Sequence, residues 1–280
     1  MMYRGIFTIL LHHFTFKNFA IQLMNSSFFK KRSILFLFAV LFSAGAMAQT
    51  DATNLRNSQL SFSRVAKAYS KYNDSLRKLF VSKALSYPPK DVYIRTFKSQ
   101  NEMELWAREN PNDPYKLIKL YRVCALSGIL GPKRCEGDRQ VPEGSYFIED
   151  FNPQSDFFLS MLINYPNYSD IILGDKKKPG GDIYIHGGCV TVGCMPMTDE
   201  VIQELYVVCL NAKLNGQNYI PITIYPTRFN KKGLDFLGRA YATEEAKQKF
   251  WVNLKAGYDY FETTKKILPV MYTPDGKYVF

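Results

Sequence analysis

Acidic residues are missing from the first 48 positions of this 280-residue chain, and histidine is scarce throughout. The only imidazoles belong to His12, His13 and His186. Internal repeats and low-complexity linkers are missing as well, and no stretch resembles a nucleic-acid-binding motif. These absences argue against a repeat protein and against nucleic acid as a partner.

The acid-free N-terminus has the three parts of an export signal. Lys30-Lys-Arg32 is followed by an apolar run over residues 34–42 and by small residues that end in an Ala-x-Ala pattern at Ala48. The run is shorter than the roughly 20 residues that a membrane-spanning helix needs. We therefore predict a signal peptide over residues 1–48, cleaved after Ala48, and a periplasmic protein, with cell-envelope association left open.

The position of Met24, just before this leader, makes residues 1–23 either an over-called start or an extended basic region. Removal of residues 1–48 removes five positive charges, so the net charge becomes +11 − 5 = +6. A positive net charge of this size is consistent with a protein that acts on a carboxylate-rich polymer. It is equally typical of a protein whose charge only keeps it soluble.

All five cysteines follow the predicted leader. They are Cys124, Cys135, Cys189, Cys194 and Cys209. In an oxidising compartment an odd number leaves at least one thiol unpaired. A thiol retained under those conditions favours a catalytic role.

Periodicity divides the exported part into three regions. Residues 49–90 form a helical segment with an amphipathic helix over 61–85, and residues 91–228 form a strand-rich domain. Residues 229–280 carry a helix over 244–266 and a hairpin around Pro274-Asp-Gly276. The fold class predicted is α+β.

Within the central region the expected elements are these: strands over 92–97, 117–124, 145–150, 157–163, 183–185 and 220–225, and a short helix over 102–108. A longer helix is expected from about Thr198 to Gly216. Pro221 interrupts the last strand, which predicts that this strand begins near a sheet edge.

The stretch from Asp182 to Asp199 carries the candidate chemistry. A short apolar strand runs into His186, a glycine-rich loop follows, and Cys194 lies eight residues after the histidine. A cysteine near pKa 8.5 is mostly protonated at neutral pH, so a nucleophilic Cys194 needs a base, and His186 is the candidate. Backbone N–H groups at Gly193 could hold an oxyanion, and a carbonyl near Gly187 or Gly188 could orient the imidazole.

Two other interpretations of the same residues remain open. His186, Cys189 and Cys194, with Cys209, could bind a metal through nitrogen and sulfur, although the spacing fits no common zinc pattern. Alternatively, Cys189 and Cys194 are disulfide partners or buried core thiols. The basic run 176–178 is either a solvated loop or a substrate clamp.

A series of short motifs resembles the L,D-transpeptidase catalytic domain, also called the YkuD domain. The series comprises Ser127-Gly128, Gly131-Pro-Lys133, Glu136-Gly-Asp138, Pro142-Glu-Gly144 with Tyr146, Asn164-Tyr-Pro-Asn167, Ile185-His-Gly187 and Gly193-Cys-x-x-Met-Thr-Asp199. It covers roughly residues 91–228 and is similar to a Gram-negative branch that includes proteins able to detach lipoprotein from peptidoglycan.

The resemblance implies a strand-rich β-sandwich or barrel with flanking helices, and no cofactor or metal. Cys194 would be the nucleophile and His186 the general base and acid, with backbone support from Gly193 and Gly187. The implied substrate is the peptidoglycan stem tetrapeptide, attacked at its L-to-D centre bond to give a thioester. An amine acceptor or a peptidoglycan-attached protein would be the second partner.

The resemblance leaves three functions to separate: a transferase, a hydrolase (an L,D-carboxypeptidase or an amidase that releases attached protein), and a non-catalytic cell-wall binding module. The commoner family form reads Ser-His-Gly-Cys-x-Arg/Asn, whereas this chain has Thr191-Val-Gly-Cys-Met-Pro196. The loop over the site is therefore expected to differ. Cys189 is an extra cysteine beside the nucleophile, either structural or able to oxidise with it.

Overall fold

Helices pack on both faces of one mixed sheet in this computed structural model, which describes residues 51–280. Leu55–Phe280 fold as one compact unit. The predicted signal peptide lies outside the described residues. No helix in the described part of the chain is long and apolar enough to cross a bilayer.

The helices, after a helical stretch that ends at residue 61, are α1 (Ser63–Ser82), α2 (Tyr168–Leu173), α3 (Asp199–Leu214), α4 (Lys231–Ala240) and α5 (Glu245–Thr264). The strands are β1 (Asp91–Phe97), β2 (Glu102–Arg108), β3 (Lys116–Arg122), β4 (Gly144–Asn152), β5 (Ser160–Ile163), β6 (Tyr184–His186), β7 (Met195–Pro196), β8 (Ile220–Tyr225), β9 (Met271–Tyr272) and β10 (Tyr278–Val279).

Strands β1 to β8 form one sheet in the order β3-β2-β1-β8-β4-β5-β6-β7. The pairs β1–β8 and β6–β7 are parallel, and the other pairs are antiparallel. One face, with Ile94 and Ile222, packs on α1 and α3. The other face, with Phe97 and Tyr225, packs on α4 and α5. The α+β class is confirmed, and the strand-rich domain takes the form of this single curled sheet.

The predicted helix over residues 102–108 is wrong, because this segment is strand β2. A 3-10 turn, Lys98–Gln100, and Asn101 at φ +53° reverse the chain, so β2 pairs with β1 along its whole length. Met103, Leu105 and Ala107 alternate into the core beneath the sheet. Seven residues are too few for the helical and the strand period to be told apart reliably.

The predicted edge position of the strand at Pro221 is also wrong. β8 lies between β1 and β4 in the middle of the sheet. Its pairing with β1 begins only at Ile222, so Pro221 precedes that ladder and is tolerated at the start of the strand. Burial on both faces by helices explains the apolar composition of the rest of β8.

Several other predicted elements are confirmed within a few residues. Helix α1 lies inside the predicted 61–85 range and buries Val65, Leu76 and Phe80. Helix α3 begins after Thr198, whose Oγ1 accepts a hydrogen bond from the Val201 N–H. The C-terminal hairpin forms as β9 and β10. Helices α2 and α4 were not predicted.

Candidate active site

His186 is the last residue of β6 and pairs with Ser160 of β5. Its neighbour Ile185 points into the core with α3, so strand alternation directs His186 to the opposite face of the sheet. The ring is nearly fully buried, at 2% exposure, and the Phe157 ring covers it with centroids 4.6 Å apart. Phe157 itself remains 45% exposed, so part of the cover over the imidazole faces solvent.

The imidazole orientation is set by the next residue in the chain. The Gly187 carbonyl oxygen lies 2.6 Å from Nδ1 of His186. Because a carbonyl can only accept, Nδ1 carries the proton and Nε2 keeps a free lone pair. Burial lowers the pKa of His186 below its ordinary value, and the Gly187 hydrogen bond opposes that shift. The ring is therefore neutral near pH 7 and competent as a base.

Cys194 immediately precedes β7, and Met195 of that strand lies opposite Ile185. Cys194 therefore begins the segment that pairs beside β6, and its sulfur lies against the backbone of Tyr184, two residues before His186. The Tyr184 N–H donates to Cys194 Sγ at 3.4 Å, and the thiol donates to the Asp182 carbonyl oxygen at 3.6 Å. Burial raises the pKa of Cys194, partly offset by the Tyr184 N–H. Cys194 is thus a neutral thiol near pH 7.

The two candidate side chains belong to neighbouring segments of the sheet, because the Cys194 sulfur contacts the N–H of Tyr184, two residues before His186 along β6. Among residues 51–280, the hydrogen bonds of the thiol go to Tyr184 and Asp182 rather than to His186. Proton transfer between the two therefore requires the thiol to leave the Asp182 carbonyl and turn toward Nε2.

A disulfide braces the loop between β6 and β7. Cys189 of this loop is bonded to Cys124, two residues after β3, and their Cα atoms are 5.2 Å apart. The Cys124 N–H also donates to the Pro196 carbonyl oxygen at 2.9 Å. The loop that carries Cys194 is thereby fastened to the segment that follows the opposite edge strand of the sheet.

The backbone N–H groups beside the thiol each donate to a hydroxyl. The Gly193 N–H donates to Ser127 Oγ at 2.6 Å, and the Cys194 N–H donates to Thr191 Oγ1 at 2.8 Å. Thr191 Oγ1 in turn donates to the Cys194 carbonyl oxygen at 2.8 Å. Sequence reasoning assigned no role to the Thr191 hydroxyl. Its three-residue spacing from Cys194, typical of hydroxyl-capped turns, was the available signal.

The segment between β3 and β4 forms the wall that presents Ser127. Inside it, Lys133 Nζ pairs with Asp138 Oδ1 at 2.5 Å, and Asp138 Oδ2 accepts from the N–H groups of Arg134 and Cys135. These contacts explain the Gly131-Pro-Lys133 and Glu136-Gly-Asp138 motifs as the framework of this wall. The positive charge of Lys133 also lowers the pKa of Cys194, against the dominant effect of burial.

The alternative metal site is excluded by where its ligands lie. Cys189 is bonded to Cys124, and Cys209 of α3 is fully buried in the apolar core. Only His186 and Cys194 of the proposed set remain near each other, too few for a tetrahedral centre. Pairing of Cys189 with Cys194 is excluded in the same way, because Cys194 is a free thiol.

Comparison with known proteins places these features in a family. Residues 91–224 match the L,D-transpeptidase catalytic domain, YkuD. The chain is 34% identical over 190 residues to the Escherichia coli (strain K12) protein named "Putative L,D-transpeptidase YafK", covering 67% of this chain and 73% of that protein. The counterpart of the same name from Escherichia coli O157:H7 matches equally.

Solved structures match more weakly. The helical cell shape determining protein Pgp2 from Campylobacter jejuni is 15% identical with a TM-score of 0.39, over 70% of this chain and 80% of that chain. Bd1075 from Bdellovibrio bacteriovorus is 21% identical with a TM-score of 0.36, over 64% and 63% of the two chains. On the domain match and the sequence identity to the two Escherichia coli proteins, this chain belongs to the L,D-transpeptidase catalytic domain (YkuD) family.

Proposed function

We propose that this protein is an exported cysteine acyltransferase that acts on peptidoglycan stem tetrapeptides at the L-to-D centre bond. Family membership and the name of the Escherichia coli relatives support the coarser statement, a peptidoglycan-related L,D-transpeptidase-like function. The observation that carries the finer one is the neutral His186 ring, held by Gly187 with Nε2 free, at the end of the strand whose Tyr184 N–H contacts the Cys194 sulfur.

The first chemical step follows from the two protonation states. Because Cys194 is a thiol rather than a thiolate, its proton must leave as sulfur attacks the carbonyl carbon, and His186 Nε2 takes that proton. The new carbon–sulfur bond turns the carbonyl oxygen into an oxyanion. When the tetrahedral intermediate collapses, the carbon–nitrogen bond breaks, and the leaving amine receives the proton from His186. A thioester on Cys194 remains.

The second step decides between transfer and hydrolysis. An incoming amine gives its proton to His186 and displaces the sulfur, which forms a new amide and regenerates the thiol. Water in place of the amine gives a free carboxylate, the outcome for an L,D-carboxypeptidase or an amidase that releases attached protein. Both outcomes use the same two side chains, so the acceptor alone separates them.

The oxyanion would be held by the N–H groups of Gly193 and Cys194. Each now donates to a neutral hydroxyl, on Ser127 and Thr191. Hydrogen bonds to a charged oxygen are roughly twice as strong as those to a neutral one. Exchange of the hydroxyl for the oxyanion is therefore favourable in the transition state, when the charge develops.

Export is part of the same proposal. The leader over residues 1–48 gives its sequence basis, and the disulfide between Cys124 and Cys189 supports it, since structural disulfides persist in oxidising compartments such as the periplasm. Pulse labelling with detection of the shortened chain in the periplasmic fraction tests it. A full-length chain retained in the cytoplasm would contradict it.

Two measurements test the function. In a Cys135→Ala background, a thiol-reactive probe should label the protein at neutral pH, and both Cys194→Ser and His186→Ala should suppress the label; labelling of Cys194 unaffected by His186→Ala would favour a binding module. Incubation with a disaccharide-tetrapeptide should then give cross-linked dimers through a thioester that mass spectrometry detects on Cys194. Tripeptide alone would replace the transferase by the hydrolase, and absence of both products would overturn the enzymatic proposal.

A further inference from the structure

We infer that Asp199 is a positioning residue for His186, acting through the Gly187–Gly188 turn. This inference rests on the proposed function, because it assigns Asp199 to the base of the same reaction. In the sequence, Asp199 is explained fully as an acid at the start of a helix. Its side-chain contacts give it a second role.

The contacts connect the carboxylate to the imidazole in two steps. Asp199 Oδ1 accepts a hydrogen bond from the Gly188 N–H at 3.0 Å. The peptide group that supplies this N–H also supplies the Gly187 carbonyl, whose oxygen lies 2.6 Å from Nδ1 of His186. One rigid peptide plane thus has the carboxylate on its N–H and the ring on its oxygen.

Close packing around Gly187 shows that this placement is specific. A Cβ added at Gly187 would lie 2.6 Å from Asp199 Oδ1 and 2.8 Å from the Phe157 carbonyl oxygen. Only a glycine lets the carboxylate come this near to the turn. Gly188, at φ +73°, then takes the left-handed conformation that the turn requires.

The carboxylate itself is carried by a rigid element. Asp199 is the first residue of α3, and Ile202, one turn later, is fully buried in the core. The segment before the helix is tied to β6, since the Met197 N–H donates to the His186 carbonyl oxygen at 2.7 Å. The start of the helix is therefore fixed relative to the histidine by a backbone hydrogen bond. The hydrogen bond from the Gly188 N–H to the Asp199 side chain adds a second connection between them.

The chemical consequence concerns the tautomer. If the Gly187–Gly188 peptide rotates, Nδ1 loses its acceptor, and the proton is free to occupy Nε2, which removes the lone pair that the thiol needs. An amide oxygen at position 199 can still accept from the Gly188 N–H, whereas a methyl group cannot. The hydrogen bond rather than the negative charge is what the role requires.

The test compares Asp199→Ala, Asp199→Asn and Glu200→Ala. Glu200→Ala removes a neighbouring acid from the same helix start without touching the turn. The full chain is labelled with 15N-histidine, and the His186 signal is identified by its loss in His186→Gln. We expect Nδ1-protonated imidazole in wild type, Asp199→Asn and Glu200→Ala, and a substantial Nε2-protonated population in Asp199→Ala.

Turnover gives the second readout. Partners that orient metal-bound histidines are worth about 10- to 100-fold, and by the same reasoning kcat should fall about tenfold in Asp199→Ala with KM little changed. Asp199→Asn should restore most of it, and the acidic limb of kcat/KM in Asp199→Ala should move to lower pH, because the Gly187 hydrogen bond raises the pKa of His186.

Three results would overturn the inference: a wild-type tautomer in Asp199→Ala, an Asp199→Asn variant as impaired as Asp199→Ala, or an equal effect of Glu200→Ala. Should Asp199→Ala fail to fold, Asp199→Leu takes its place as a variant without an acceptor, and an Nε2-protonated ring in Asp199→Asn would still overturn the inference. A wild-type protein without turnover would defeat the proposed function alone, because the 15N spectra report on the turn whether or not the substrate is correct.

Discussion

The fully buried carboxylate of Glu143 accepts a hydrogen bond of 2.7 Å from the indole Nε1 of Trp251 on helix α5. Its other oxygen pairs with Lys98 Nζ at 2.9 Å and accepts from the Gly131 N–H at 2.7 Å. One charge thus joins the turn after β1, the wall of the candidate site and the helix that covers the sheet.

Replacing Lys98 by methionine should be strongly destabilising, because it leaves the Glu143 carboxylate buried without its cation. The expected loss in free energy of unfolding is about 3–5 kcal/mol. Urea denaturation of Lys98→Met measures it, and adding Glu143→Gln should recover part of the loss, since an amide oxygen still accepts from Trp251. A loss below about 1 kcal/mol in the single variant would be typical of a surface pair and would contradict the prediction.

Removing the disulfide between Cys124 and Cys189 should cost both stability and the proposed activity. Cys124→Ala with Cys189→Ala opens a bridge that spans 65 residues, which corresponds to about 4 kcal/mol in the chain-entropy account. The loop that carries Cys194 would then lose its tether to the end of β3, and kcat should fall. Cys135→Ala, at a free cysteine, is the matched control in thermal unfolding and turnover. Equal behaviour of the two variants would argue against a brace.

The pH dependence should reflect a neutral pair. Burial lowers the pKa of His186, so the acidic limb of kcat/KM should lie below the ordinary histidine value of about 6.5. Burial raises the pKa of Cys194, so alkylation should still accelerate above about pH 8.5. Turnover measured against pH checks the first expectation, and iodoacetamide kinetics from pH 5 to 10 in a Cys135→Ala background check the second. A rate plateau below pH 7 would instead indicate a preformed thiolate–imidazolium pair.

A buried carboxyl group in α2 should make stability depend on pH. Burial raises the pKa of Asp170 from 3.8 to about 6, although hydrogen bonds from Tyr146, Arg134 and Asn167 oppose the shift. The folded-state pKa is the higher one, so this contribution is complete below pH 3.8 and is lost as pH rises through 6. A shift of about two pKa units corresponds to about 3 kcal/mol.

Asp170→Asn is the control, because an amide does not titrate. Urea denaturation at pH 4 and pH 7 should show wild type losing stability relative to Asp170→Asn at the higher pH. A relative gain for wild type would mean that the hydrogen bonds outweigh burial.

Elements with a long repeating pattern or a characteristic capping sequence could be predicted from the local sequence. Helix α1 repeats its apolar stripe over several turns, and α3 begins at a hydroxyl followed by two acids. The prediction of a helix at β2 was wrong because the two-residue period comes from pairing with β1. The seven residues alone do not specify it. The prediction of an edge strand at Pro221 was wrong for the same reason. The place of Pro221 in the sheet depends on where β1 begins to pair with β8.

The candidate site also has a part that local sequence predicts and a part that depends on distant residues. The eight-residue separation of His186 and Cys194 suggested a base and a nucleophile, and the structure brings the Cys194 sulfur against the backbone of β6, the strand that ends at His186. The partners of the backbone beside them could not be predicted, because Ser127 reaches Gly193 from 66 residues away and Cys124 reaches Cys189 across 65. Such contacts depend on the assembled sheet.

The parallel pairing of Ile94 with Ile222 closes a loop of 222 − 94 = 128 residues. Pairing across so long a separation is slow, because the entropy of closing the loop must be lost before any contact compensates it. In the sheet, β8 lies between β1 and β4 and so connects strands β1 to β3 with strands β4 to β7. The complete sheet can therefore form only once residues up to Tyr225 are available, so the first strand of the domain waits for the last central one.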